Sequence, residues 1–138
     1  MTGLGRDADA KEFYLKSIEK EPTAQAYNNL GLWYNAAGDS ESAEKAFQKA
    51  VELKPNSSQA YNNLGMLYGN RGDLEKAYQM LQKSLEIDPS NVRARTNCGL
   101  VLYKLGRQEE GAAEWKKALE QDPLFEEARR LLRLSGHP

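Results

Sequence analysis

The segment Ala26-Tyr27-Asn28-Asn29-Leu30-Gly31 recurs letter for letter 34 residues later as Ala60-Tyr61-Asn62-Asn63-Leu64-Gly65. A weaker echo, Ala94-Arg95-Thr96-Asn97-Cys98-Gly99, follows at the same distance again. A fixed period of this length means one supersecondary unit stacked on copies of itself, and such stacks present extended surfaces rather than enclosed pockets. Pro22, Pro55, Pro89 and Pro123 keep the same beat, and Gly38, Gly72 and Gly106 fall in the middle of each unit.

Each unit reads as two helices. Tyr27, Leu30 and Tyr34, and then Ala43, Phe47 and Ala50, return at three- and four-residue intervals, which places them on one stripe of an amphipathic helix. Gly38-Asp39 and Gly72-Asp73 fit a left-handed helix stop followed by an N-cap, and the prolines stand just past the second helices, where a helix cannot readily continue. Gly31, Gly65 and Gly99 lie inside helices, each at about 1 kcal/mol relative to alanine. Their recurrence at that cost predicts that a partner helix comes too close there for a side chain, with Ala77 the expected neighbour of Gly65. Helices are predicted over 7–20, 24–37, 40–53, 58–71, 74–87, 92–105, 108–121 and 124–134, with no strand.

An aromatic residue, Leu-Gly, Tyr, Ala, a bulky residue and Pro in this order resembles the tetratricopeptide repeat (TPR) family. In the first full unit the motif is Tyr27, Leu30, Gly31, Tyr34, Ala43, Phe47, Ala50 and Pro55. In the second it is Tyr61, Leu64, Gly65, Tyr68, Ala77, Leu81, Ser84 and Pro89. The third departs, with Arg95 for the first aromatic, Cys98 for Leu, Leu102 for Tyr and Gly111 for Ala, while Gly99, Trp115, Ala118 and Pro123 hold. The resemblance implies an all-α fold, a right-handed TPR superhelix of antiparallel helix pairs forming one domain over 1–138. Its parts are a leading half repeat (1–23), three full repeats (24–57, 58–91 and 92–123) and a capping helix (124–134). Leu4-Gly5-Arg6 matches Leu105-Gly106-Arg107, so the chain is expected to begin at a turn inside an earlier repeat, as a segment of a longer array would.

The formal net charge of −1 gives no global pull toward nucleic acid or an anionic membrane, although residues 92–138 are the basic part, with nine Lys and Arg against seven Asp and Glu. No apolar run is long enough to span a bilayer and no secretory leader is visible, so a cytoplasmic location is the default. The single Cys98 replaces a core Leu, which makes it a buried structural thiol. The only histidine, His137, is expected to be a frayed tail residue. With no Cys or His cluster at ligand spacing, no activated nucleophile and no phosphate-binding loop, neither a metal nor a cofactor is expected, and the chain is read as non-enzymatic.

What remains is a surface. Asn29, Asn63 and Asn97 stand 34 residues apart on the first helix of each unit, so stacking lines them up. In the superhelical TPR arrays this resembles, those of O-GlcNAc transferase and kinesin light chain, asparagines at the matching place line the concave groove and hold the backbone of an extended peptide. A carboxamide both donates and accepts, so it pairs with a peptide unit whatever the side chain. The other reading has these asparagines bonding neighbouring helices; their survival in the divergent third repeat favours binding. Asn28 and Asn62 are less telling, since Thr96 breaks their series. Leu32, Met66 and Leu100 form a second row three residues on, open to either peptide contact or core packing. Gln25, Gln59 and Arg93 make a third row, and Ala36, Asn70 and Lys104 a fourth, so the groove is expected to turn basic toward its C-terminal end, with Arg130 joining from the last helix.

TPR modules that clamp the acidic tail of chaperones use two lysines, two asparagines and an arginine over three first helices. This chain has Asn28 and Leu32 where Lys and Asn are needed, keeps Asn63, and has Arg93 for a lysine and Asn97 for the arginine. The expected function is a scaffold that binds an extended segment of a partner protein. The alternatives are self-association through the N-terminal half repeat, where Phe13 and Leu15 lie off the core register, and an auxiliary domain of a larger protein.

Overall fold

The computed structural model describes residues 3–137, with side chains from Asp9 onward. Its elements are all helical: α1 (Gly3–Lys20), α2 (Ala24–Ala36), α3 (Ser40–Leu53), α4 (Ser58–Arg71), α5 (Leu74–Ile87), α6 (Val92–Lys104), α7 (Gln108–Gln121) and α8 (Glu126–Ser135). The pairs α2 with α3, α4 with α5 and α6 with α7 make the most extensive contacts. Each second helix then packs on the first helix of the next pair. No described helix is long and apolar enough to cross a membrane.

Two kinds of punctuation produce this order. Within a pair, Gly38, Gly72 and Gly106 adopt φ of 86°, 89° and 87°, a left-handed stop that only glycine takes without strain. Between pairs the start signal is a polar side chain. Thr23, Ser57 and Asn91 each accept a hydrogen bond from the backbone N–H three residues on, all at 3.1 Å. Asp39 caps α3 in the same way at 3.2 Å, whereas Asp73 occupies the equivalent place without a side-chain cap bond.

The predicted turn at Leu4-Gly5-Arg6 is instead part of α1, which begins at Gly3. At the other end, Leu124 and Phe125 precede α8 rather than joining it, because the Asp122 carboxylate accepts the Leu124 N–H at 3.1 Å and Phe125 is extended.

The helical glycines are sites of contact. A Cβ on Gly31 would collide with the Phe47 ring, and one on Gly65 would stand 2.6 Å from Leu81 Cγ, with the Ala77 carbonyl 3.3 Å away. The Leu81 side chain is therefore the principal neighbour of Gly65, ahead of Ala77. Phe47, Leu81 and Trp115, at one register of the second helices, are all fully buried. In the third repeat the helices meet backbone to backbone, since a Cβ on Gly111 would lie 2.5 Å from the Gly99 carbonyl. Gly111 thus replaces alanine where a bulkier tryptophan and a closer approach coincide. Cys98 is buried as expected and its thiol is pushed up to about 12, chiefly by burial.

The junction between the first two full repeats carries a polar cluster beside its apolar packing. Tyr68 donates its hydroxyl to Glu44 at 2.7 Å and Arg71 donates to the same carboxylate at 2.6 Å. These bonds, the tyrosine's first, hold Glu44 below the usual carboxylate range, and burial raises Tyr68 to about 12. A carboxylate depressed on folding contributes stability above its unfolded pKa of about 4.3 and loses it as pH falls through the lower folded value. A raised tyrosine contributes below its unfolded pKa of about 10 and loses that contribution as pH climbs toward 12. Glu44→Gln is therefore expected to cost about 1 kcal/mol near pH 7, with the gap to wild type beginning to narrow below about pH 4. Urea titrations of both proteins across that range check this, and a gap that does not narrow as the pH falls would contradict the linkage.

Candidate functional site

The first helices α2, α4 and α6, with the start of α8, line a cleft of about 690 Å³. Six of the predicted residues meet there, namely Asn63, Asn97, Leu32, Met66, Gln59 and Arg93. Leu100 and Lys104 line a second cavity of about 230 Å³ between α4 and α6, which shares Met66 and Asn97 with the cleft. Gln25 and Asn29 line neither. They bond to one another on the exposed part of α2, Gln25 Nε2 donating to Asn29 Oδ1 at 3.1 Å.

The carboxamides are more constrained than a row of free groove side chains. Asn63 Nδ2 donates to Asn28 Oδ1 at 3.3 Å, and Asn97 Nδ2 donates to Asn62 Oδ1 at 2.9 Å. Asn28, Asn62 and Asn63 are all buried. Asn63 and Asn97 thus each give one N–H to the first asparagine of the Asn-Asn pair in the preceding repeat. This corrects the lesser weight placed on Asn28 and Asn62, which are the acceptors that hold the ladder. Thr96 does not break this series by accident. In repeat register its would-be donor is Leu131, whose side chain has no N–H to offer, and the Thr96 hydroxyl turns back to the Val92 carbonyl at 2.8 Å. A carboxamide has two N–H groups and an oxygen, so Asn63 and Asn97 each keep one donor and one acceptor beyond this bond.

The apolar row divides. Leu32 is 37% exposed, Met66 is half-buried, and Leu100 packs against the cluster around Trp115 and Leu132. It serves groove and core together.

The basic end predicted for the groove is not purely basic. Arg93 lines the cleft, but so do Phe125, Glu126 and Glu127, and Arg130 lines neither cavity. Extending the third row, Gln25, Gln59, Arg93, by one more period reaches Glu127, a step the sequence reading did not take. Arg95, in place of the motif aromatic, faces the other way, clamping Glu114 at 2.9 Å and the Pro89 carbonyl at 2.9 Å. His137 is not frayed: it is half-buried, with Nε2 3.6 Å from Glu109 and Nδ1 3.1 Å from the Ser135 carbonyl.

The family described as the cytochrome c-type biogenesis protein H TPR domain matches residues 15–126. Among solved structures, a crystal structure of MamA superposes with a TM-score of 0.79 at 23% identity, over 95% of this chain and 77% of that one. The crystal structure of YrrB, a TPR protein with an unusual peptide-binding site, gives 0.78 at 23% identity, over 94% and 67%. The first TPR of Spaghetti (RPAP3), bound to the HSP90 peptide SRMEEVD, gives 0.77 at 20% identity, over 83% and 90%. Identities this low carry the fold alone. No curated protein matches the chain in sequence.

Proposed function

Because the chain belongs to the family of the cytochrome c-type biogenesis protein H TPR domain, we propose that it is a non-catalytic scaffold whose cleft holds an extended segment of a partner protein. The observation that carries this reading is the pair of oriented carboxamides, Asn63 and Asn97, side by side in an open cleft with hydrogen-bonding capacity to spare. Neutral amides of this kind bond a peptide backbone without regard to its side chains. Leu32, Met66 and Leu100 supply apolar contact, and Arg93 with Lys104 meets an acidic side chain or a free carboxylate. YrrB and RPAP3, which share the fold, are described with a peptide-binding site and with a bound peptide. The family description makes the assembly of c-type cytochromes the first setting in which to look for the partner.

The test is a pulldown from a lysate with wild type and with Asn29, Asn63 and Asn97 together replaced by alanine, followed by titration of the captured partner. Asn63→Ala and Asn97→Ala are each expected to weaken binding by about 0.5 to 1.5 kcal/mol, the net value of a neutral hydrogen bond, at any salt concentration. Asn29→Ala is expected to contribute little, since it lies outside the cleft. Arg93→Ala is expected to act mainly at low salt. Equal affinity of wild type and the triple variant, measured on folded protein, would remove the ladder from the site.

Self-association is a second reading. One observation favours it: Phe13 and Leu15 on α1 are 66% and 41% exposed, apolar surface of the kind that marks interaction sites. A light-scattering mass that doubles with concentration in wild type and not in Phe13→Ser would support it.

A further inference from the structure

Building on the peptide-binding reading above, we infer that the smaller cavity is a socket for one aliphatic side chain of the bound segment, and that Glu127 makes the site select a segment with charges of both signs beside that residue. Gly65 and Gly69 of α4 line the socket with backbone, and Met66, Leu100 and Val101 give it apolar walls. At about 230 Å³ it takes one aliphatic group and not a run of them. Burying that group provides a hydrophobic contribution indifferent to what flanks it.

The flanking selectivity comes from the rim. Lys104 and Glu127 both line the socket, and Glu127 also lines the larger cleft, so it stands where the two join. Glu126 is tied to Arg129 at 3.3 Å, but among the described residues Glu127 makes no ion pair or side-chain hydrogen bond, nor do Arg93 and Lys104. An acid in the first turn of α8 suits the helix dipole. That accounts for Glu127 being acidic, and not for its place in both cavities, with Arg93 in one and Lys104 in the other. A segment seated in the socket brings its neighbouring side chains toward a carboxylate on one side and a cation on the other. One basic and one acidic flank satisfy both charges, and like-charged flanks leave one of them opposed.

The test uses four fluorescein-labelled nonapeptide pools of alanine and serine with leucine at the centre and charged residues two positions to either side, in the orders Lys and Lys, Glu and Glu, Lys and Glu, and Glu and Lys. Fluorescence anisotropy at low salt is expected to show one mixed-charge pool binding wild type about two- to fivefold more tightly than either like-charged pool, the range of an exposed charge contact. Glu127→Gln is expected to abolish that advantage and Glu127→Lys to transfer it to the Glu and Glu pool. Glu120→Gln, on an exposed part of α7 outside both cavities, is expected to leave it unchanged, and circular dichroism on all three variants confirms that the helices remain folded. A wild-type preference for the Glu and Glu pool, or a mixed-charge preference that survives Glu127→Gln, would overturn the inference while leaving peptide binding intact. Failure of every pool to bind would overturn both.

Discussion

Replacing Gly99 by alanine is expected to destabilise the protein by about 1 to 3 kcal/mol, the cost of overpacking, although alanine is the better helix former by about 1 kcal/mol. The added Cβ would stand 2.5 Å from Trp115 Nε1 and 2.7 Å from the Gly111 carbonyl. Neither neighbour can yield cheaply. Trp115 is held by its indole N–H, which donates to the Thr96 carbonyl at 3.0 Å, and by stacking on Tyr103 at 5.5 Å. The Gly111 carbonyl belongs to the backbone of α7, so relief means parting the two helices. Gly69→Ala is the contrasting case. Its Cβ would meet only Val101 and Ala77 at 3.6 and 3.8 Å, ordinary contact distances, and the substitution is expected to raise stability by up to about 1 kcal/mol through helix propensity. Chemical denaturation of the two variants should move the midpoint in opposite directions. If both moved upward, helix propensity rather than close approach would govern these glycines.

Asn28→Ala is expected to cost a further large amount, about 1 to 3 kcal/mol, because it strands a buried donor. Asn28 is 2% exposed and Asn63 5%; without the Asn28 oxygen, Asn63 Nδ2 loses its partner in a site with little access to water. Asn62→Ala is expected to cost less, since its donor Asn97 is only half-buried and can turn to solvent. Asn29→Ala is expected to stay within about 0.5 kcal/mol, as surface changes do, because it gives up only an exposed bond to Gln25. Thermal melts of the three variants order them as 28, then 62, then 29. A neutral Asn28→Ala with a destabilising Asn29→Ala would contradict the relay between repeats.

The contrast among these asparagines shows what a repeat period conveys and what it omits. Spacing located the helices to within two residues from α2 to α8, because glycine stops, polar caps and apolar stripes are local signals that each unit carries for itself. It failed at the start of α1, where the Leu-Gly-Arg triplet that marks a turn in the third repeat lies within the helix. The same limit applies to the site. Register arithmetic gives a residue its place in a repeat, so the rows of Asn, Leu and Met, and Gln and Arg were legible. Whether a neighbouring repeat supplies an acceptor is a property of the stack. Hence Asn28 and Asn62 looked incidental, and Asn29, at the edge of the stack, looked equivalent to Asn63. Glu127 was within reach of the arithmetic, but the last helix had been assigned to shielding the core and its groove-facing position went unused.

The glycine contacts and the asparagine relay also divide the molecule mechanically. Within each pair the helices touch closely at glycine, against the buried Phe47 and Leu81 side chains in the first two pairs and backbone to backbone in the third, so a pair is expected to move as a stiff plate. Between the first and second full repeats the seam includes Asn63 on Asn28, Tyr68 and Arg71 on Glu44, and Arg71 on Ser40, bonds that tolerate small changes of angle and distance. Tension applied along a segment lying in the cleft would therefore be taken up at the seams, changing the curvature of the stack while leaving each plate intact. On the peptide-binding reading, the cleft's width would then be an elastic variable, responding to the length of a bound segment as well as to its chemistry.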